Sequence, residues 1–243
     1  SASLLAVQDS RVPSYFGYDV AMNAKEHQTL EASLEGSLQP LSVDEVLALR
    51  DEGAQLLDVR DGDDFAGAHL LGSVNIGLDG KFATWAGALL VPHRAIVLIG
   101  SPGSHQEAAM RLGRIGFDNV AGYMADGMMA LAGRSDLIGR VERITVLTLQ
   151  EQRQEGLSPH VIDVRGPGER QESQIPDSNH IALMQMPRHL DDVPRNRPVI
   201  VYCAGGYRSA IAASLLQANG FDRVQDLVGG ITAWEAAGLQ TSR

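Results

Sequence analysis

The stretch VIVYCAGGYRSAIAASLLQANG, residues 199–220, decides how the rest of the chain is read. Four apolar residues lead into a loop with two adjacent glycines. A longer run with helical spacing follows and ends at Gly220. That is strand, tight loop, helix. The loop carries Cys203, the only cysteine in 243 residues. A lone cysteine is more often a small buried hydrophobe than a nucleophile, and it cannot form an internal disulfide. Its surroundings must settle which it is.

The same strand–loop–helix order occurs twice. GAQLLDVRD (53–61) is echoed by PHVIDVRG (159–166), HRAIVLIG (93–100) by RPVIVYCA (197–204), and LGRIGFDNV (112–120) by LQANGFDRV (216–224). Three echoes in one order at nearly one spacing predict two copies of a single domain. The expected boundaries are 38–135 and 142–243, joined by a linker at 136–141. Residues 1–37 fit neither copy and read as an N-terminal arm. Within each copy, short apolar strands alternate with helices. Ser42 with Glu45, and Thr148 with Glu151, are expected to cap the first helix of each copy. Gly116 and Gly220 are expected to close the long helices. Short, fully apolar strands separated by helices belong in a parallel sheet covered on both faces. Such sheets place their sites at the carboxyl ends of strands, which is where Cys203 falls. The apolar run GYMADGMMALAG (122–133) after the last strand of the first copy is expected to form an interface between the copies.

Net charge is −10, which excludes a nucleic-acid or anionic-membrane footprint. No apolar run approaches the ~20 residues needed to cross a bilayer. The first residues have no basic stretch of the kind that opens a signal peptide. With one cysteine, that reading places the chain in the cytoplasm. The seven histidines lack metal-ligand spacing, so no metal and no cofactor is expected within this chain.

The loop Cys203-Ala204-Gly205-Gly206-Tyr207-Arg208-Ser209 is suited to hold an anion. Glycines let the backbone curl, inward amides and a helix N-terminus favour a thiolate, and Arg208 adds a fixed positive fork. A thiolate so held is a nucleophile. Tyr207 either shapes the mouth or simply packs. Trp85 and Trp234 read as core or rim residues, and Met124, Met128 and Met129 as core or interface.

This pattern resembles the rhodanese-type sulfurtransferases. The likeness runs over 38–240 as a tandem pair, and it is strongest in DVR (163–165), YCAGGYRS (202–209) and Gly229-Gly230 with Trp234. It implies an α/β fold of two domains, each a parallel five-stranded sheet with helices on both faces. It also implies sulfur transfer from thiosulfate or a low-molecular-weight persulfide, through a Cys203 persulfide, to a thiol or cyanide. Cys203 and Arg208 would be catalytic. Ala204, Gly205, Gly206, Tyr207 and Ser209 would bind the sulfur, and Asp163 with Arg165 would buttress the loop. C-x4-R is one residue shorter than the loop of related phosphatases and suits a sulfur atom better than a phosphate. The arginine argues for an anionic donor.

The family's usual histidine after DVR has a counterpart in copy one (His69) but not at that place in copy two, where His180 lies later. An offset of 104 sets Ile99 against Cys203 and Ser104 against Arg208, so copy one reads as inactive. VPSYFGYDVAMNAK (12–25) resembles the tail of the metallo-β-lactamase-like half of persulfide dioxygenase–rhodanese fusions. That implies an upstream domain as a partner, alongside small sulfur donors and thiol acceptors. The alternative role is a non-catalytic sulfur-binding or scaffold module of a larger sulfide-oxidising protein.

Overall fold

Short apolar strands that cannot expose either face stack here into two parallel sheets. The computed structural model describes residues 38–243; the expected arm at 1–37 and the motif at 12–25 lie outside the described residues. In the first copy the strands are β1 (Pro40–Leu41), β2 (Gln55–Asp58), β4 (Val74–Asn75), β5 (Ile96–Ile99) and β6 (Val120–Met124). In the second they are β8 (Glu142–Ile144), β9 (His160–Asp163), β10 (Asn179–His180), β11 (Val199–Tyr202) and β12 (Val224–Leu227). The first sheet runs β1-β6-β5-β2-β4 and the second β8-β12-β11-β9-β10, so the two have one topology. Every pairing within them is parallel.

Helices cover both sheets: α1 (Val43–Asp51), α2 (Gly62–Gly67), α3 (Phe82–Leu89) and α4 (Ser104–Gly113) in the first copy, and α5 (Val146–Gln154), α6 (Pro167–Glu172), α7 (Tyr207–Ala218) and α8 (Gly230–Ala236) in the second. The predicted Ser42–Glu45 capping box closes the start of α1. At α5 the expected cap is displaced: Thr145, not Thr148, is the N-cap, and its hydroxyl accepts the Thr148 amide at 3.1 Å. β8 ends at Ile144, so α5 starts three residues before the position the Thr148–Glu151 pattern suggested. Gly116 and Gly220 follow the long helices with φ of 85° and 79°, a conformation that costs other residues about 1 kcal/mol or more.

Strand residues alternate between two cores, as the pleat requires. Leu57 and Leu98 of the first sheet, and Ile162, Val199 and Val201 of the second, face one shared core. Leu56, Val97 and Ile99 face the outer core of copy one; Val161, Ile200 and Tyr202 face that of copy two. Helix α7 lies in the shared layer, with Ile211, Ala212, Ala213 and Leu216 fully buried. Residues 38–243 thus pack as one unit. Met124 and Leu131 fill copy one's own outer core, Met128 packs against it, and Met129 is 83% exposed. The run at 122–133 is therefore not the interface; its last helix is only a 3-10 turn over Gly127–Leu131.

The join between the copies is polar as well as apolar. Ser214 Oγ accepts the Asn75 amide at 2.8 Å, Ala66 O accepts the Val141 amide at 3.0 Å, and Arg143 pairs with Asp63 at 2.8 Å. The stretch expected as linker contains β7 (Ile138–Gly139), which pairs antiparallel with β3 (His69–Leu70) of copy one.

Candidate active site

Strand β11 is the central strand of its sheet, and its carboxyl end delivers Cys203 into the turn before α7. The thiol is 2% exposed, as the bland reading of a lone cysteine requires. Its partners are not those of a core residue. Sγ accepts the Gly206 amide at 3.1 Å and lies 3.6 Å from Ser209 Oγ, whose hydroxyl donates to the Gly206 carbonyl at 3.0 Å. Gly206 has φ of 124°, so glycine is required there to turn that amide onto the sulfur. Gly205 has no such φ, and a Cβ on it would meet nothing within 4 Å. Of the two loop glycines, only one is conformationally essential.

The Gly229-Gly230 signature acts on this loop from behind. Ile231 and Thr232 amides, at the start of α8, donate to the carbonyls of Cys203 (2.9 Å) and Ala204 (3.2 Å). A Cβ on Gly230, where φ is 54°, would run into the Cys203 carbonyl oxygen. The glycine lets the helix clamp the loop at hydrogen-bond distance.

Asp163 and Arg165 hold the neighbouring loop. The carboxylate accepts from Arg165 N (3.0 Å), Nε (3.0 Å) and Nη2 (2.7 Å), and Arg165 Nη2 also donates to Ser173 O at 2.6 Å. Asp58 and Arg60 make the same set in copy one, with Ala68 O in place of Ser173 O. The pairing thus recurs in the copy without a cysteine, while Asp163 alone also accepts the Tyr202 hydroxyl, at 2.8 Å. His180 sits across from Asp163, as Asn75 does from Asp58. Its Nε2 bonds the Arg165 carbonyl at 2.8 Å, and Asn75 Nδ2 bonds the Arg60 carbonyl at 2.8 Å. His180 therefore takes the place of Asn75, not that of His69.

Arg208 differs from the expectation that it faces the sulfur alone. Its guanidinium grips Glu169 of α6 with two bonds, 2.6 and 2.7 Å. Those bonds, ahead of the other influences, hold the Glu169 carboxyl down at about 2, so the glutamate stays ionised and Arg208 is paired. The same bonds, with the charge of Cys203 as a smaller cause, push Arg208 upward. No local pattern announced this contact, because the partners lie 39 positions apart.

The thiol opens on a cavity of about 700 Å³. Copy two supplies Glu169, Cys203, Ala204, Gly205, Tyr207 and Arg208 to its walls. Copy one supplies Gly80, Lys81 and Trp85, none of which the sequence marked as site residues. Tyr207 joins the two sides. Its hydroxyl donates to Gly77 O at 2.8 Å, its ring packs on Gly80, and burial raises its pKa to about 12, so it remains a donor.

Copy one keeps the backbone of this loop without its chemistry. Asp58 pairs with Ile99 in one sheet, and Asp163 with Tyr202 in the other. Ile99 therefore matches Tyr202, Gly100 matches Cys203, and His105 matches Arg208. The assignment of Ile99 and Ser104 to those places is off by one. α7 is two residues longer than α4, so the offset of 104 read around the helix ends does not hold at the loop. His105 stacks on Tyr123 at 3.8 Å. Among the described residues no three His, Cys, Asp or Glu side chains converge as a metal site, and no helix is long and apolar enough to cross a membrane.

A thiol held by a loop amide at the end of a central parallel strand, with an arginine in the first turn of the next helix, defines an α/β protein with a cysteine at its strand-end site. More narrowly, the chain belongs to the rhodanese-like domain family, whose model matches residues 42–133 and 146–237. It is 37% identical over 79 residues to a sulfurtransferase of Allochromatium vinosum, a match covering 32% of this chain and 74% of that protein. It is 35% identical over 77 residues to the thiosulfate sulfurtransferase GlpE of Pseudoalteromonas translucida, covering 32% and 73%. Among solved structures, a rhodanese-like domain protein from Staphylococcus aureus matches at 31% identity and a TM-score of 0.39, covering 42% of this chain and 100% of that one.

Proposed function

We propose that the protein is a sulfurtransferase in which Cys203 carries the sulfur. The observation that supports this most directly is the Cys203 thiol at the base of an open cavity, with an amide donated to it from a glycine that only glycine can replace. The Cys203 thiolate attacks the outer sulfur of thiosulfate. The S–S bond of the donor breaks, sulfite leaves with the bonding pair, and Cys203–S–S⁻ remains. With an organic persulfide the leaving group is the thiolate. An acceptor thiolate or cyanide then attacks the outer sulfur, and the Cys203 thiolate is released. The persulfide needs the same support as the thiolate, moved outward by one atom: the loop amides, Ser209, and the positive edge of the Arg208–Glu169 pair. Asp163, Arg165 and His180 do not touch the sulfur; they fix the loop beside it. The test is intact mass after exposure to thiosulfate or glutathione persulfide. Cys203 should gain one sulfur atom and lose it to cyanide, and Cys203→Ser should do neither. Turnover by pure Cys203→Ser protein would remove Cys203 from the mechanism.

A further inference from the structure

We propose that Lys81, supplied by the copy without a cysteine, selects anionic donors for Cys203. This rests on the sulfur-transfer reading of the same cavity. The charges of the cavity wall leave little else to do it. Arg208 is matched by Glu169 through two short bonds, and that glutamate stays ionised to about pH 2. The pair has no net charge to offer, and an ionised Cys203 adds a negative one. A donor bearing its own negative charge would be repelled. Lys81 also lines the cavity. It is exposed, and among the described residues no hydrogen bond or ion pair engages its ammonium; only its backbone carbonyl is bonded, by the Trp85 amide.

Its backbone is fixed relative to the sulfur. The preceding Gly80 lies against the Tyr207 ring, and the Tyr207 hydroxyl is bonded to Gly77, so the turn carrying Lys81 is fastened to the catalytic loop. A flexible ammonium on such an anchor is a point charge, not a rigid fork. It fits a donor whose negative group sits away from the transferred sulfur, in any of several geometries. Thiosulfate, with its sulfonate, and a carboxylate-bearing organic persulfide share that chemistry.

The experiment compares alkylation of Cys203 by iodoacetate and by iodoacetamide, followed by intact mass on the full chain. The two reagents deliver the same carbon and differ in charge. Lys81→Gln should lower the iodoacetate-to-iodoacetamide rate ratio by about tenfold at low salt, Lys81→Arg should restore it, and added salt should narrow the wild-type advantage. The iodoacetamide rate reports whether the loop is intact. In parallel, thiosulfate and glutathione persulfide should both lose kcat/KM in Lys81→Gln, mainly through KM. A loss with only one of them names the source of the anion. An unchanged alkylation ratio in Lys81→Gln would overturn the proposal. A lowered ratio in a protein that neither donor can load would uphold Lys81 and overturn sulfur transfer instead.

Discussion

Gly80→Ala tests whether the cysteine-less copy is fastened to the catalytic loop through Tyr207. A Cβ at position 80 would stand 2.6 Å from Cε1 of Tyr207 and closer still to Cε2 and Cζ. Carbon atoms in contact sit ~3.5–4.0 Å apart, so the ring must shift by about 1 Å or more. It cannot shift and keep its hydroxyl 2.8 Å from the Gly77 carbonyl. Overpacking costs about 1–3 kcal/mol, and the lost hydrogen bond adds about 1 kcal/mol. The expected destabilisation is about 2–4 kcal/mol, or a fall in melting temperature of about 5–15 °C for a unit of this size. The assay is thermal unfolding, with the iodoacetamide rate of Cys203 measured alongside. Gly67→Ala is the control, since a Cβ there meets nothing within 4 Å. Combining Gly80→Ala with Tyr207→Ala separates this cause from any other, because with the ring gone the alanine has room and its cost should vanish. If Gly80→Ala melts within about 1 °C of wild type, or costs as much without Tyr207 as with it, the contact does not fasten the copies.

Other changes should divide the loop's requirements. Gly206→Ala should destabilise by about 1–2 kcal/mol and slow Cys203 alkylation, because φ is 124° and the amide serves the sulfur; Gly205→Ala should be neutral or slightly stabilising, and equal losses at both would refute the distinction. Glu169 has its carboxyl lowered from 4.5 to about 2, first by Arg208. Its contribution is therefore present above pH 4.5 and lost as pH falls through about 2, and the stability gap between wild type and Glu169→Gln should close over that window. The glutamate side chain is 40% exposed, so screening keeps the gap to about 1 kcal/mol or less; a gap that does not narrow between about pH 5 and pH 2 would contradict the ion pair. Asp226 is 3% exposed, has Oδ1 without a partner, and is raised mainly by burial. A raised carboxyl penalises the fold when ionised, so Asp226→Asn should unfold at a higher midpoint at pH 8, by about 1 kcal/mol, with the gain shrinking as pH falls; a lower midpoint would show that Arg143 and Ser209 outweigh the burial.

The repeat, the two parallel sheets and the cysteine loop were legible because each is written in contiguous residues. Apolar runs fix strands, and a glycine pair between strand and helix fixes the cradle. The pairing of Asp163 with Arg165 was legible for the same reason, since the partners are two positions apart. Contacts between distant segments left no local mark. Glu169 of α6 meets Arg208 of α7 across 39 positions of sequence, and Lys81 and Trp85 reach the cavity only because the copies dock. The match of Gly100 to Cys203 was misread for a smaller reason. Sequence echoes align best where helices end, while the loop is aligned by strand register, and one helix is longer than the other. The cap at Thr145 was missed because a threonine, not a glutamate, stands three residues on, so the capping-box pattern pointed to Thr148 with Glu151 instead.

Residues 142–243 alone should separate what copy two does from what copy one gives it. Among the described residues the groups that touch the sulfur, Gly206 and Ser209, lie in copy two, and so do the α8 amides that clamp the loop by its carbonyls. The isolated copy should therefore still react with iodoacetamide at Cys203. It would lose the Ser214–Asn75 and Tyr207–Gly77 bonds, at about 1 kcal/mol each. It would also expose the α7 face whose Ala210 now packs against Gly62, and so be less soluble as well as less stable. Without Lys81 it should also lose the preference for iodoacetate over its salt-screened rate. Copy one's own loop offers no replacement: Pro102 stands where Gly205 does, without an amide hydrogen, and His105, stacked on Tyr123, stands where Arg208 does. If the isolated copy unfolds at the same denaturant concentration as the full chain and keeps its charge preference, copy one is neither the wall of this site nor its source of charge.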